Sequence, residues 1–126
     1  MQQTVDLWLS RFALDTVLHA HVAGVVLVLP EHVRADLLTD GNFRMCDYEP
    51  GLGMMHVPVG LPGPNGAGRA VVLKRTLRKR PPAFVRYVIA HELAHAHLRN
   101  RGRWPGDDPE HAADALAAEW GFPRPF

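Results

Sequence analysis

His91-Glu92-Leu93-Ala94-His95 has the form H-E-x-x-H. On an α-helix, residues four apart share a face, so both imidazoles can reach one metal ion. Glu92 follows His91 by one position, ~100° round a helix of 3.6 residues per turn. That offset suits a general base working on a water that the metal activates, better than a further ligand on the histidine stripe. The pattern alone does not decide the matter, since shuffling a chain of this composition produces it in roughly 2% of orders. The surrounding residues carry the rest.

A catalytic zinc takes three protein ligands and keeps one position open. Asp108-Pro109-Glu110 reads as an N-cap, a first-position proline and a first-turn acid of a second helix. Glu110 is a candidate third ligand, and it is also the kind of acid that complements a helix dipole. The adjacent His111 is the alternative ligand, since some zinc peptidases use three histidines. Asp114 lies four residues beyond Glu110 on the same face. It can accept the free ring N–H of a ligand histidine, orienting that imidazole, or it can be a solvated helix acid. Ala112, Ala113, Ala115, Ala117 and Ala118 suit both a close helix–helix approach and plain helix formation.

These side chains need elements to hold them. Pro81-Pro82 opens a helical segment running to about Asn100. Phe84, Val88, His91, His95 and Leu98 form one stripe on it, and Val85, Ile89 and Ala96 a neighbouring one. A helix apolar nearly all round belongs in the centre of a fold, and buried histidines and a glutamate there need partners. The last helix is expected over 108–120, stopped by Gly121 and Pro123. Upstream, Val5, Trp8, Leu9, Phe12 and Ala13 predict an amphipathic helix over 3–20, ended by Gly24. The β-branched run 25–29 predicts a buried strand, and Pro30-Glu31 a short helix through Leu38. Asp40-Gly41-Asn42 is a turn signal. Residues 43–48 and 53–59 read as a hairpin, 60–69 as a Gly/Pro-rich connection and 70–73 as another strand.

The chain has 126 residues, 14 Lys+Arg against 13 Asp+Glu, and one cysteine. Length predicts one domain over 1–126. The near-zero net charge argues against a strongly basic nucleic-acid coat, and one cysteine allows no intrachain disulfide framework. No apolar run is long enough for a membrane span, and the N-terminal stretch is not patterned as a secretory signal. A cytoplasmic location is the expectation. Lys74, Arg75, Arg78, Lys79 and Arg80 make a local basic run that reads as a solvated connection or as a patch for nucleic acid or an acidic partner. Cys46 reads as a half-buried strand cysteine, His97 as a surface histidine, and Trp120, Phe122 and Phe126 as anchors of the C-terminus.

His91-Glu92-Leu93-Ala94-His95 followed by Glu110-x-x-x-Asp114 resembles the gluzincin zinc metallopeptidases. Val88-Ile89-Ala90 before the motif and Ala113-Asp114-Ala115-Leu116-Ala117 after it are similar to the small ImmA/IrrE-like branch. The likeness spans mainly residues 70–120. It implies zinc held by His91, His95 and Glu110, with Glu92 as general base and Asp114 supporting a histidine. It also implies a strand near 70–74 beside the cleft, where an extended substrate can pair. The chain departs from some members of that branch in having no separate helix-turn-helix segment. Tyr87, His97, Arg99 and His111 are the candidates for stabilising the oxyanion. The expectation is thus an α+β, zincin-like fold with a small mixed sheet packed on the active-site helix, hydrolysing peptide bonds in a peptide or protein substrate with zinc. The alternative is a non-catalytic, metal-stabilised module that binds nucleic acid or an acidic partner through the basic run.

Overall fold

The structure, a computed structural model, describes residues 2–48, 69–99 and 109–125. Among these, helices α1 (Gln2–Leu9), α2 (Thr16–Val28) and α3 (Glu31–Leu38) precede strand β1 (Phe43–Tyr48). Strand β2 (Arg69–Lys74), a 3-10 helix (Arg75–Lys79), α4 (Pro82–Leu98) and α5 (Pro109–Glu119) follow. The chain is therefore α+β, dominated by helix. The expected strand 53–59, the connection 60–68, the loop 101–107, the cap Asp108 and Phe126 lie outside the described residues.

The expected helix over 3–20 is two helices. Val5, Trp8 and Leu9 point inward from α1, and Ser10 Oγ donates to the Leu7 carbonyl at 2.6 Å, closing its last turn. The chain then runs extended past Ala13, which bridges Cys46 of β1 in parallel. Asp15 restarts the helix: its carboxylate accepts from the Val17 and Leu18 amides at 2.9 and 3.2 Å. Such a cap satisfies amides that α2 cannot satisfy itself.

The strand expected over 25–29 is instead the second half of α2, and Gly24 lies within that helix. β-Branched residues disfavour a helix by only a few tenths of a kcal/mol each. Here the capped helix continues because Val22, Ala23, Val25 and Val26 all face the core. It stops where Pro30 forces Leu29 into the extended region, φ −66°, ψ 151°. Arg34 Nη1 then donates to the Leu29 carbonyl at 2.9 Å. Pro30 leads into α3 as the sequence predicts.

β1 pairs with β2 in parallel, from Phe43 opposite Arg69 to Tyr48 opposite Lys74. The described sheet is thus two parallel strands; its mixed character is not seen among the described residues. The core joins α1, α2, β1 and β2 to α4 through Leu9, Leu18, Phe43, Leu73, Ile89 and Leu93, each at most 1% exposed. Cys46 is fully buried on β1, more than the expected half, and burial, with Asp47 beside it, pushes its thiol up.

Arg69 ties the sheet to the helices. Its side chain is 7% exposed. It reaches Asp36 Oδ2 and Asp40 Oδ2 at 2.8 Å each, and the Ala96 carbonyl near the end of α4 at 3.1 Å. His97 Nδ1 lies 2.8 Å from Asp36 Oδ2, and Arg99 Nη2 3.1 Å from Asp36 Oδ1. His97 is therefore hydrogen-bonded to Asp36 beside the Arg69 ion pairs and is not a free surface histidine. Helix α4 ends at Arg99, which takes a left-handed φ of 56° and whose amide donates back to the Ala96 carbonyl at 3.3 Å. Burial raises the Asp36 carboxyl pKa, but hydrogen bonds from Arg69, His97 and Arg99 outweigh it and hold the group well below the usual carboxylate range.

Because the folded-state value is depressed, Asp36 contributes stability above its unfolded value, near 4, and loses it as pH falls toward the native value. Asp36→Ala is expected to destabilise the fold by about 2–4 kcal/mol, leaving Arg69 short of a partner. Denaturant melts from pH 7 down to pH 3 should show the wild type losing stability below about pH 4–5, and Asp36→Asn losing less over the same window.

Candidate metal centre

Pro81, at φ −56° and ψ 143°, precedes Pro82 at the first position of α4, where a missing N–H costs nothing. Val85, Ile89, Ala90, Leu93 and Ala94 are at most 1% exposed, so α4 is buried on more than one side. His91 and His95 occupy the side facing α5. Helix α5 comes close because Ala113 and Ala117, both fully buried, have no bulk to hold it off. At its far end the Phe122 amide donates to the Ala117 carbonyl at 2.9 Å. That turn requires the positive φ of Gly121, 99°. Trp120 is buried and Phe122 partly so, anchoring this end as expected.

The approach delivers Glu110 to the histidines. His91 Nε2 and His95 Nε2 lie 3.1 Å apart. Glu110 Oε2 lies 3.2 Å from the first and 2.7 Å from the second. The imidazoles are 12% and 13% exposed, and Glu110 is 64% exposed on the solvent side. Three ligands at tetrahedral angles around one zinc are separated by about 3.3 Å, given zinc–ligand bonds of about 2.0–2.1 Å. The observed triangle, with sides of 3.1, 3.2 and 2.7 Å, is close to that spacing and tighter on its His95–Glu110 side, and its donor set of two nitrogens and one carboxylate oxygen suits a borderline-soft divalent ion. His91, His95 and Glu110 could therefore hold a metal ion. Burial raises the Glu110 pKa, yet its bonds to His95 and His91 outweigh this and keep the carboxyl low, so it is charged at neutral pH. His111 is exposed on α5 and is not part of the group.

Asp114 stands behind His91, with Oδ1 2.7 Å from Nδ1. An acceptor there puts the ring proton on Nδ1 and leaves the Nε2 lone pair facing Glu110 and His95. The same Oδ1 accepts from the Tyr87 hydroxyl at 2.6 Å, and Oδ2 from Arg124 Nη2 at 2.8 Å. Burial raises the Asp114 pKa, but these three partners lower it further than burial lifts it. Tyr87, an oxyanion candidate by sequence, has its hydroxyl committed to Asp114. His97 and Arg99, two others, are bound to Asp36 at the end of α4. The Arg124 contact is not legible in sequence, because a tail beyond a helix stop carries no periodicity to align it.

Glu92 lines a cavity of about 550 Å³ beside the triad, walled by β2 residues Val72 and Leu73, by Leu77, and by Phe84 and Val88 of α4. Val72, Leu73 and Lys74 of β2 thus wall the cavity that Glu92 lines. Arg75 Nη2 pairs with Asp47 at 2.9 Å and Arg78 with Asp15 at 2.7 Å. Two cations of the basic run are therefore spent on holding β1 and the start of α2.

Compared with family models, curated proteins and solved structures, the chain matches none. No described helix is long and apolar enough to cross a membrane.

The donor triangle predicts close to one equivalent of bound zinc per chain, measured by elemental analysis after dialysis. Glu110→Ala should lose most of it and His111→Ala should keep it. Asp114→Ala, which frees the His91 ring, should weaken zinc binding about 10- to 100-fold in a chelator competition.

Proposed function

We propose that the chain is a zinc-dependent peptidase of zincin type, similar in its site to the gluzincins and to their ImmA/IrrE-like branch. The observation that carries this reading is the convergence of His91 Nε2, His95 Nε2 and Glu110 Oε2 from two helices, with Asp114 fixing the tautomer of His91. A structural zinc site has four protein ligands, whereas three ligands leave room for water and substrate. Glu110, the solvent-side ligand, leaves that room on an open face.

Zinc bound there would supply a Lewis acid that polarises both a water and the scissile carbonyl. The remaining steps belong to the chain. Glu92 faces the cavity from the turn that carries His91. Its carboxylate takes a proton from the attacking water and hands it to the leaving amine, so one residue serves as base and then as acid. The apolar walls provided by Val72, Leu73 and Val88 keep water scarce around that carboxylate and strengthen its interaction with the reacting atoms. Val72, Leu73 and Lys74 give the cavity a strand wall, along which an extended peptide can lie and exchange backbone hydrogen bonds. The alternative of a nucleic-acid module is weakened, since Arg75 and Arg78 are engaged with Asp47 and Asp15.

Glu92→Gln separates chemistry from metal binding. The variant is expected to retain zinc at the wild-type level and to lose at least about 100-fold in turnover of a quenched-fluorescent peptide library, the scale of a lost general base. Wild-type protein loaded with one zinc that cleaves nothing in such a library would overturn the peptidase reading.

A further inference from the structure

The cavity is not uniform along its length, and its far end has a charge that the triad does not explain. Phe84, Val88 and Glu92 are four residues apart on α4 and all line it. It therefore runs along that helix for roughly 12 Å, the rise of eight helical residues. That is the reach of about three to four residues of extended chain. Glu92 stands at one end. At the other, Arg80 is held with its guanidinium carbon 4.6 Å from the centre of the Phe84 ring. Lys74, at the end of β2, and Arg80 both line the cavity and both are exposed. Arg75 and Arg78, their neighbours in the basic run, have carboxylate partners in Asp47 and Asp15. Among the described residues, Lys74 and Arg80 have none. The rest of the lining is mostly apolar, with Val72, Leu73, Leu77, Phe84 and Val88, and Thr76 adds one hydroxyl.

We infer that this cavity selects an extended peptide with an apolar side chain next to the reacting bond and an acidic side chain three to four residues away. The inference rests on the peptidase reading for the position of the reacting bond, but the binding preference itself does not need turnover. The apolar residue covers Val88, Leu77 and Phe84, removing apolar area from water. The acidic residue meets Lys74 and Arg80, two cations carried by different elements. A cation stacked on an aromatic face keeps its charge and loses orientational freedom, so Arg80 presents its donors to a carboxylate with little further ordering. Both cations lie at an exposed rim. The peptide chain can therefore continue past them, which favours a side-chain carboxylate over a chain terminus. Charge complementarity of this kind discriminates partners more than it adds affinity.

The test uses fluorescein-labelled, C-amidated octapeptides with a central Leu-Ala-Leu, flanked on both sides by Glu or, in the matched control, by Lys. Anisotropy titrations with the full wild-type chain measure binding, and mass spectrometry of the same samples measures cleavage. The Glu peptide is expected to bind at least about tenfold more tightly than the Lys peptide, a difference of about 1.4 kcal/mol. Arg80→Gln should erase most of that ratio, and the Lys74→Glu, Arg80→Glu double variant should invert it while the circular dichroism spectrum stays unchanged. Equal binding of the two peptides, or binding of neither, overturns the inference. Cleavage without any Glu preference overturns it and leaves the peptidase reading standing. A Glu preference without cleavage of these peptides supports the inference, and the peptidase reading is then overturned if the peptide library also goes uncut. A Lys-flanked peptide with a free C-terminal carboxylate that binds as tightly as the amidated Glu peptide overturns the assignment to an acidic side chain.

Discussion

A helix buried on most of its surface and carrying two imidazoles imposes one requirement on everything around it: polar partners must be brought to the buried side. Leaving such groups unpaired costs several kcal/mol. Helix α4 meets this condition through α5, whose fully buried alanines, Ala113 and Ala117, allow close packing. Glu110 and Asp114, one turn apart on α5, then reach His95 and His91. The metal-ready triangle and its supporting carboxylate are consequences of one helix–helix contact. A larger side chain at either alanine would move both carboxylates together.

Helix α4 is held at two places by different devices, and the site benefits from both. At the C-terminal end, Arg69 links the Ala96 carbonyl to Asp36 and Asp40, and Asp36 also faces His97. This fixes the helix within a turn of His95. Nearer the middle, Asp114 is shared by Tyr87, His91 and Arg124. A carboxylate receiving three donors holds its charge and its orientation, and so holds the His91 ring. The fold thus brings several polar contacts from distant parts of the chain to the helix that carries the histidines, while the apolar cluster of α1, α2 and the strands supplies mass behind it.

The 3-10 helix between β2 and α4 divides the basic run by function. Arg75 and Arg78 turn back to Asp47 and Asp15, joining the end of β1 to the cap of α2. Lys74 and Arg80 stay with the cavity. Five adjacent charges that look alike in composition are sorted by geometry into structural pairs and exposed cations.

What the sequence determined by itself was local. The i, i+4 spacing of His91 and His95 requires only a helix, and Pro81-Pro82 with Gly121 bracket the two helices that matter. Glu110 and Asp114 were legible as one face for the same reason. Where local preference and packing competed, the sequence misled: Val25 to Val28 has the β-branched character of a strand, yet forms helix because a cap at Asp15 and a buried face outweigh a weak propensity. Only the tertiary structure decided that Glu110 and not His111 joins the histidines, that Tyr87 and Arg124 share Asp114, and that Arg69 binds Asp36 and Asp40 at the end of α4. Each of those contacts joins residues from separate elements. Their distances depend on how helices pack, which side-chain volume at positions such as Ala113 sets in three dimensions and no spacing along the chain encodes.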